Sequence, residues 1–225
     1  MTLNSHSTLL IEKFEDGPIW TIGYLVYAGP GMEAVVIDVP MWSSDKIYKR
    51  IREIGLSVKY IVATHGHWDH IGEMKKLAAL TGAQVCANEG DAWMMSDPNG
   101  MVIAPPEPIE PVLIDLALSD GATVGSVGPK FKVIQTPGHS TGSICLYEED
   151  ERVLFTGDTL FAGSIGRVDL PTGSMKEISK SIQHKLMTLP VEVKIYPGHG
   201  SDSTLGKEKM TNPFVQSMLA GNSKA

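Results

Sequence analysis

The chain has 225 residues, 42% of them hydrophobic and 20% charged, the balance of a folded protein with a sizeable core and little room for long disordered stretches. A formal charge of −7 without any basic run argues against a nucleic-acid partner, because phosphate neutralisation needs a surplus of Lys and Arg on some face. No segment is apolar for the roughly 18–20 residues that a membrane span needs, and residues 1–10 lack the basic-then-apolar order of a secretory leader; the reading is one domain over residues 1–225, cytoplasmic and without a membrane partner.

Along the chain, residues 19–28 and 34–39 read as strands, Ser44–Ile54 as an amphipathic helix, and residues 58–64 as a buried strand that stops at histidines. Residues 71–80 have helical spacing and end at Gly82, and Gln84–Ala87 is a short strand. Five prolines within residues 96–111 exclude a regular helix or a central strand there and predict an irregular surface segment. Beyond it, Lys130–Gln135, 143–148 and 152–156 read as strands, the last two joined by an acidic turn at 149–151; a helix over 175–186 and a strand over 193–196 follow. Each half therefore orders antiparallel strands, then helix, then strand, which predicts two sheets packed face to face with helices outside. The two cysteines, Cys86 and Cys145, fall inside strand text without C-x-x-C spacing and are expected to be buried thiols.

The chemistry-bearing text directly follows the 58–64 strand: Thr64-His65-Gly66-His67-Trp68-Asp69-His70. In an extended stretch alternate residues share a side, so His65 and His67 can point into one metal site. A helix starting near His70 turns the chain there, so the run can serve two adjacent ions. Burying three imidazoles and a carboxylate together without a cation is costly, which favours ligation over a core role. Three further segments end a strand with a donor beside small residues: Thr136-Pro137-Gly138-His139, Thr156-Gly157-Asp158 and Tyr196-Pro197-Gly198-His199-Gly200. Glycines there let the backbone approach a crowded centre. A lone histidine is more often a hydrogen-bonded core residue, and His6 and His184 keep that reading.

These residues resemble the metallo-β-lactamase superfamily, whose H-x-H-x-D-H motif stands here as His65, His67, Asp69 and His70, with His139, Asp158 and His199 following in the family's order. The resemblance covers nearly the whole chain. It implies an α/β fold of four layers, an αββα sandwich with the metals at one edge. It also implies that His65, His67 and His139 hold one metal, that Asp69, His70 and His199 hold the other, and that Asp158 bridges them. Many antibiotic-hydrolysing members carry a cysteine in place of Asp158, so the aspartate points away from that branch. Within the superfamily the chain looks like the short, single-domain glyoxalase II-type (hydroxyacylglutathione hydrolase-like) hydrolases, through Pro137-Gly138-His139-Ser140-Thr141-Gly142-Ser143, Phe155-Thr156-Gly157-Asp158-Thr159-Leu160-Phe161, Gly163-Ser164-Ile165-Gly166-Arg167 and Thr211-Asn212-Pro213-Phe214. Two features depart from the glutathione-binding kind: Arg167 is followed two positions on by Asp169 where an aromatic is usual, and the chain ends at Ala225, ahead of the helical C-terminal domain of the longer enzymes. Both leave glutathione open as the thiol carrier.

The expected cofactor is a pair of divalent transition metals, zinc first, with iron and manganese also suited to His and Asp donors. Two cations lower the pKa of a water between them and polarise a carbonyl, with Asp69 or Asp158 orienting that water. No further acid stands in the motifs. A thiolate leaves without a proton whereas an amide nitrogen generally needs one, so the expected partner is a small-molecule thioester such as S-D-lactoylglutathione, with lactones and activated esters next. Arg167 is read either as a substrate-carboxylate contact or as an ion pair with Asp169. Met41-Trp42 and Trp93-Met94-Met95 are read as apolar core rather than groove wall, and Lys207 and Lys209 as a charged helix face. The rival readings are a persulfide dioxygenase-like oxidoreductase with one iron on His65, His139 and Asp158, and a metal-binding module without catalysis; seven N and O donors leave open positions, unlike a closed structural zinc site.

Overall fold

The structure is a computed structural model that describes residues 9–125 and 128–221; His6 lies outside them. The first half runs β1 (Leu10–Asp16), β2 (Thr21–Tyr27), β3 (Glu33–Ile37), α1 (Ser44–Ile54), β4 (Ser57–Val62), α2 (Trp68–Ile71), α3 (Met74–Thr81), β5 (Gln84–Ala87), α4 (Ala92–Ser96) and β6 (Leu116–Ala117). The second runs β7 (Thr123–Gly125), β8 (Lys130–Gln135), β9 (Ile144–Glu148), β10 (Val153–Gly157), β11 (Leu160–Phe161), β12 (Ser164–Ile165), α5 (Met175–His184), β13 (Lys194–Pro197), β14 (Ser203–Thr204), α6 (Leu205–Thr211) and α7 (Pro213–Gly221).

Strands β1 to β6 form one sheet in chain order, antiparallel as far as β3 and parallel from there. The second sheet has the order β14-β13-β10-β9-β8-β7, with β10 and β13 parallel and the other pairs antiparallel. Strand β2 is buried at all seven positions, which requires cover on both faces. Alternation decides what covers each. From β9, Ile144 and Leu146 enter the core between the sheets, with Val26, Ile37, Val62 and Phe155, while Cys145 faces the layer of Ile178 and Ile182 from α5, Leu205 from α6 and Val215 from α7. On the other side, Leu25, Val36 and Ile61 pack beneath Ile47 and Ile51 of α1 and Leu77 of α3. Helix, sheet, sheet and helix are thus stacked as the paired halves predict.

Helix α1 has the expected bounds; it buries Ile47 and Ile51 and stops at Gly55, whose φ of 73° is left-handed. The single helix expected over 71–80 is instead divided, and the short α2 already carries Asp69 and His70. The break falls where Gly72 packs against Met41, a side chain at that position meeting Met41 Cγ at 2.5 Å. The helix expected over 175–186 ends at His184 and continues as a 3-10 turn over Leu186–Thr188. His184 is exposed on it, not part of the core. Both cysteines are buried and free; burial pushes the Cys86 thiol up to about 12 and that of Cys145 to about 11. Among the described residues no helix is long and apolar enough to cross a membrane.

Phe155 joins the sheets, its ring edge-on to Tyr24 at 5.0 Å and to Phe131 at 5.6 Å with no solvent exposure. Phe155→Ala should cost about 3–5 kcal/mol, as buried aromatic truncations do. Urea unfolding with an unchanged m-value is the measurement, and a loss below about 1 kcal/mol would contradict an inter-sheet core built on this ring.

Candidate metal centre

All seven donors proposed from the sequence meet at one edge of the sandwich. Backbone bonds across the sheets bring the segments together there: Ile144 N–H donates to Thr64 O at 2.9 Å and Ile22 N–H to Gly198 O at 2.7 Å. His65, His67 and His139 place one nitrogen each within 4.8 Å of one another, and Asp69, His70 and His199 form a second such trio. Asp158 lies between them, with Oδ1 3.3 Å from His70 Nε2 and Oδ2 3.6 Å from both His139 Nε2 and His199 Nε2. His199 Nε2 is 3.3 Å from Asp69 Oδ2. The approach depends on Gly198, where a Cβ would meet His70 Cε1 at 2.5 Å and the Asp158 carboxylate closer still.

Hydrogen bonds fix which way the imidazoles face. His139 Nδ1–H donates to Arg167 O at 2.8 Å, which leaves a lone pair on Nε2. Thr64 gives its one hydroxyl proton to Asp38 Oδ2 at 2.8 Å and so accepts from His65 Nδ1–H at 3.1 Å, which leaves His65 Nε2 bare as well. These two Nε2 atoms stand 3.2 Å apart, and His67 Nδ1 is 2.9 Å from that of His139. His70 Nδ1–H donates to Asp38 Oδ2 at 2.8 Å, while buried His70 Nε2 and Asp158 Oδ1 have no hydrogen-bond partner. The bare Nε2 atoms of His65 and His139, converging without a proton between them, call for a cation.

The charges of the two trios differ. Burial, then the neighbouring imidazoles, hold His65 well below the usual histidine range, and burial and His139 bring His67 to about 4. Burial works against charge on His70 too, yet the carboxylates of Asp69, Asp158 and Asp38 outweigh it and raise its pKa well above the ordinary value; His199 is raised likewise by Asp69 and Asp158. For Asp69 and Asp158 burial favours protonation, but His70 prevails and both carboxyls fall below their normal range. In the first trio His65 and His67 are thereby held neutral, whereas in the second the raised imidazoles of His70 and His199 face the lowered carboxyl of Asp69.

Three supporting residues were not apparent from the sequence. Asp38, at a left-handed φ of 57° just after β3, takes both Thr64 N–H and Thr64 Oγ1–H besides His70; its only trace in sequence is an acid at the end of the apolar run 34–37. Thr21 Oγ1–H donates to Asp69 Oδ2 at 2.7 Å. Buried Asp91 accepts from Gly66 N–H, Gly142 N–H and Ser140 Oγ–H, and so ties the loop of His65 and His67 to that of His139.

Five of the donors, His67, Asp69, His139, Asp158 and His199, floor a cleft whose lining includes Arg167, Trp93 and Met94. Arg167 pairs both fork nitrogens with Asp169 at 2.8 Å each, so the ion pair is formed and the residue also borders the cleft. Trp93 corrects the core reading: it is exposed at the mouth on the cleft side of α4, while Met95, two residues later and on the opposite side of the helix, is fully buried. Met41 belongs to the core and Trp42 is exposed away from the cleft. Lys207 and Lys209 lie exposed on α6, as a charged face requires.

The sequence profile of the Metallo-beta-lactamase superfamily matches residues 22–199. The chain belongs to this superfamily. The likeness extends to whole proteins: hydroxyacylglutathione hydrolase GloC of Haemophilus influenzae is 35% identical over 187 residues, 82% of this chain and 88% of that one. The crystal structure of the BLEG-1 B3 metallo-beta-lactamase superposes with a TM-score of 0.83 at 31% identity, covering 92% of this chain and 99% of the other. TTHA1623 in a di-iron-bound form follows at 0.77 and 32%, covering 90% and 99%, and ETHE1 from Myxococcus xanthus at 0.73 and 27%, covering 95% and 91%. The fold is thus the metallo-beta-lactamase fold.

Asp38 orients donors in both trios, so Asp38→Ala should weaken transition-metal binding roughly 10–100-fold, the usual cost of losing such an outer partner. Chelator competition on protein with wild-type circular dichroism measures it; unchanged affinity would show that His65 and His70 orient without Asp38.

Proposed function

We propose that the chain is a hydrolase that uses two transition-metal ions and cleaves a small acyl thioester. The observation that carries the reading is the pair of donor trios meeting at Asp158, with bare nitrogens and an orphaned carboxylate oxygen turned inward. His65, His67 and His139 would hold one ion, Asp69, His70 and His199 the other, and Asp158 would touch both. When bound, such a pair supplies a water of near-neutral pKa and polarises the scissile carbonyl. The neutral imidazoles suit any of several divalent ions; zinc leads, and the di-iron form of a 32% identical structure supports iron as well.

What this chain's own residues do follows from their partners. Asp38 and Arg167 O set the faces that His65, His70 and His139 present. Thr21 occupies one lone pair of Asp69 and leaves that carboxylate, beside the centre, able to orient the attacking water and take its proton. The oxygen of water forms the new C–O bond, the C–S bond breaks, and sulfur leaves with the electron pair as thiolate. Apart from donors and Arg167, the described residues lining the cleft are apolar, so none stands ready to protonate a poorer leaving group; a thiol with a pKa of about 8.5 needs none. The relative named hydroxyacylglutathione hydrolase supports this chemistry. The single-iron oxidoreductase reading leaves the Asp69, His70 and His199 trio without a task.

The test is turnover of S-D-lactoylglutathione and simpler thioesters by protein whose metals are counted. Two ions per chain with release of one thiol per carboxylate are expected, whereas one iron per chain with oxygen uptake on glutathione persulfide overturns the reading. Asp158→Ala should lose metal and lower kcat/KM by more than the roughly 100-fold that an outer partner costs; a fully active variant would show that Asp158 does not join the two trios.

A further inference from the structure

Above the donors, the cleft wall is made of Ile19, Trp93, Met101, Val102, Ile103 and Leu170. They come from four separate segments: the turn between β1 and β2, helix α4, the proline-bearing stretch before β6, and the loop after β12. Val102 is 76% exposed, Trp93 47%, Ile19 45% and Ile103 43%. Large apolar side chains that converge on a cleft from distant parts of a chain, and stay in contact with water, mark a surface built for an apolar ligand. The segment bearing Met101, Val102 and Ile103 is pinned in place. Asn99 donates from Nδ2 to Ile109 O at 2.9 Å and accepts from Ile109 N–H at 3.0 Å, which closes the loop at its base. Val112 N–H, bonded to Met95 O at 2.8 Å, secures its far end to α4.

The wall offers little positive charge to an anionic ligand. Among the described residues lining the cleft, Arg167 is the one Lys or Arg, and its guanidinium fork is occupied by both oxygens of Asp169. Selection of glutathione through its carboxylates needs a free cationic fork. This wall offers removal of apolar surface from water instead.

We propose that the wall receives an apolar acyl group, so that the preferred substrate is the thioester of an aliphatic or aromatic carboxylic acid. The inference rests on the thioester reading above. Thiol carriers are polar and well hydrated, so the acyl part is the one that gains by entering the cleft, and the carrier lies at its mouth.

The experiment uses the metal-loaded full chain with N-acetylcysteamine thioesters from acetyl to octanoyl, benzoyl-N-acetylcysteamine, and S-D-lactoylglutathione. The expected result is a kcat/KM that rises about two- to fourfold per added methylene over the shorter acyl chains, in keeping with the burial of each CH₂, and an octanoyl thioester preferred over S-D-lactoylglutathione at least about tenfold. Trp93→Ala and Val102→Ser should each lower the octanoyl-to-acetyl ratio of kcat/KM at least about threefold, mainly through KM, with metal content and circular dichroism unchanged. The proposal is overturned if S-D-lactoylglutathione is preferred and chain length has no effect. It is equally overturned if the two substitutions change the oligomeric mass and not the ratio, which would give the patch to a second copy of the chain. A metal-loaded protein that cleaves none of these thioesters would overturn the underlying reading as well, whereas thioester cleavage without chain-length dependence would overturn this inference alone.

Discussion

The buried carboxylate of Asp38 is the interaction on which the rest of the centre depends. It accepts from Thr64 N–H, Thr64 Oγ1–H and His70 Nδ1–H, and through Thr64 it also settles the orientation of His65. A single group at the end of β3 thereby holds the run after β4 in the conformation that divides its donors between two trios. A carboxylate shielded from water costs free energy unless its lone pairs are used, and three donors use them. Hydrogen bonding within the first sheet thus orients His65 and His70, and the second sheet contributes His139, Asp158 and His199.

The second sheet adds its donors by the same device. Strands β10 and β13 run parallel, so their carboxyl ends emerge side by side, and each gives way to a glycine-bearing turn with one donor. In open α/β sheets ligands gather at such ends. The four layers bury the chain on both sides of each sheet and leave the strand ends as the place where polar groups can collect.

Much of this was legible in the sequence because the signals are local. The period of 44–54 gives α1 to the residue, and the donor run announces itself by burying too many imidazoles for a core. Two of the three donor groups that the described residues form, His65-His67-His139 and Asp69-His70-His199, are those the family resemblance implies, and the third joins His65, His70 and Asp158. What escaped has a common physical cause. Strands β6, β11, β12 and β14 are two residues long, too short to display a period; β1 is an edge strand of mixed burial. The division of α2 from α3 turns on a contact between Gly72 and Met41, distant in sequence. Asp38, Thr21 and Asp91 act through partners between 25 and 51 positions away, and no spacing rule reveals them. Trp93 reads as core by composition and lies at the surface because it is on the cleft side of α4.

Beyond the donors, α6 reaches back to the centre. Buried Glu208 accepts from Gly163 N–H at 2.7 Å and from Asn212 Nδ2–H at 2.9 Å, and Ser203 also bonds to it; Asn212 donates to Ser164 O at 3.0 Å. The hairpin of β11 and β12, which leads from Asp158 to Arg167, is therefore fastened by residues near the end of the described chain. On the ribosome, where a chain emerges from its N-terminus, the first histidines would wait for some 140 further residues before their partners were fixed. The centre therefore draws on residues from β3 to α6, and its geometry is complete only with both sheets and the helices after β14 in place.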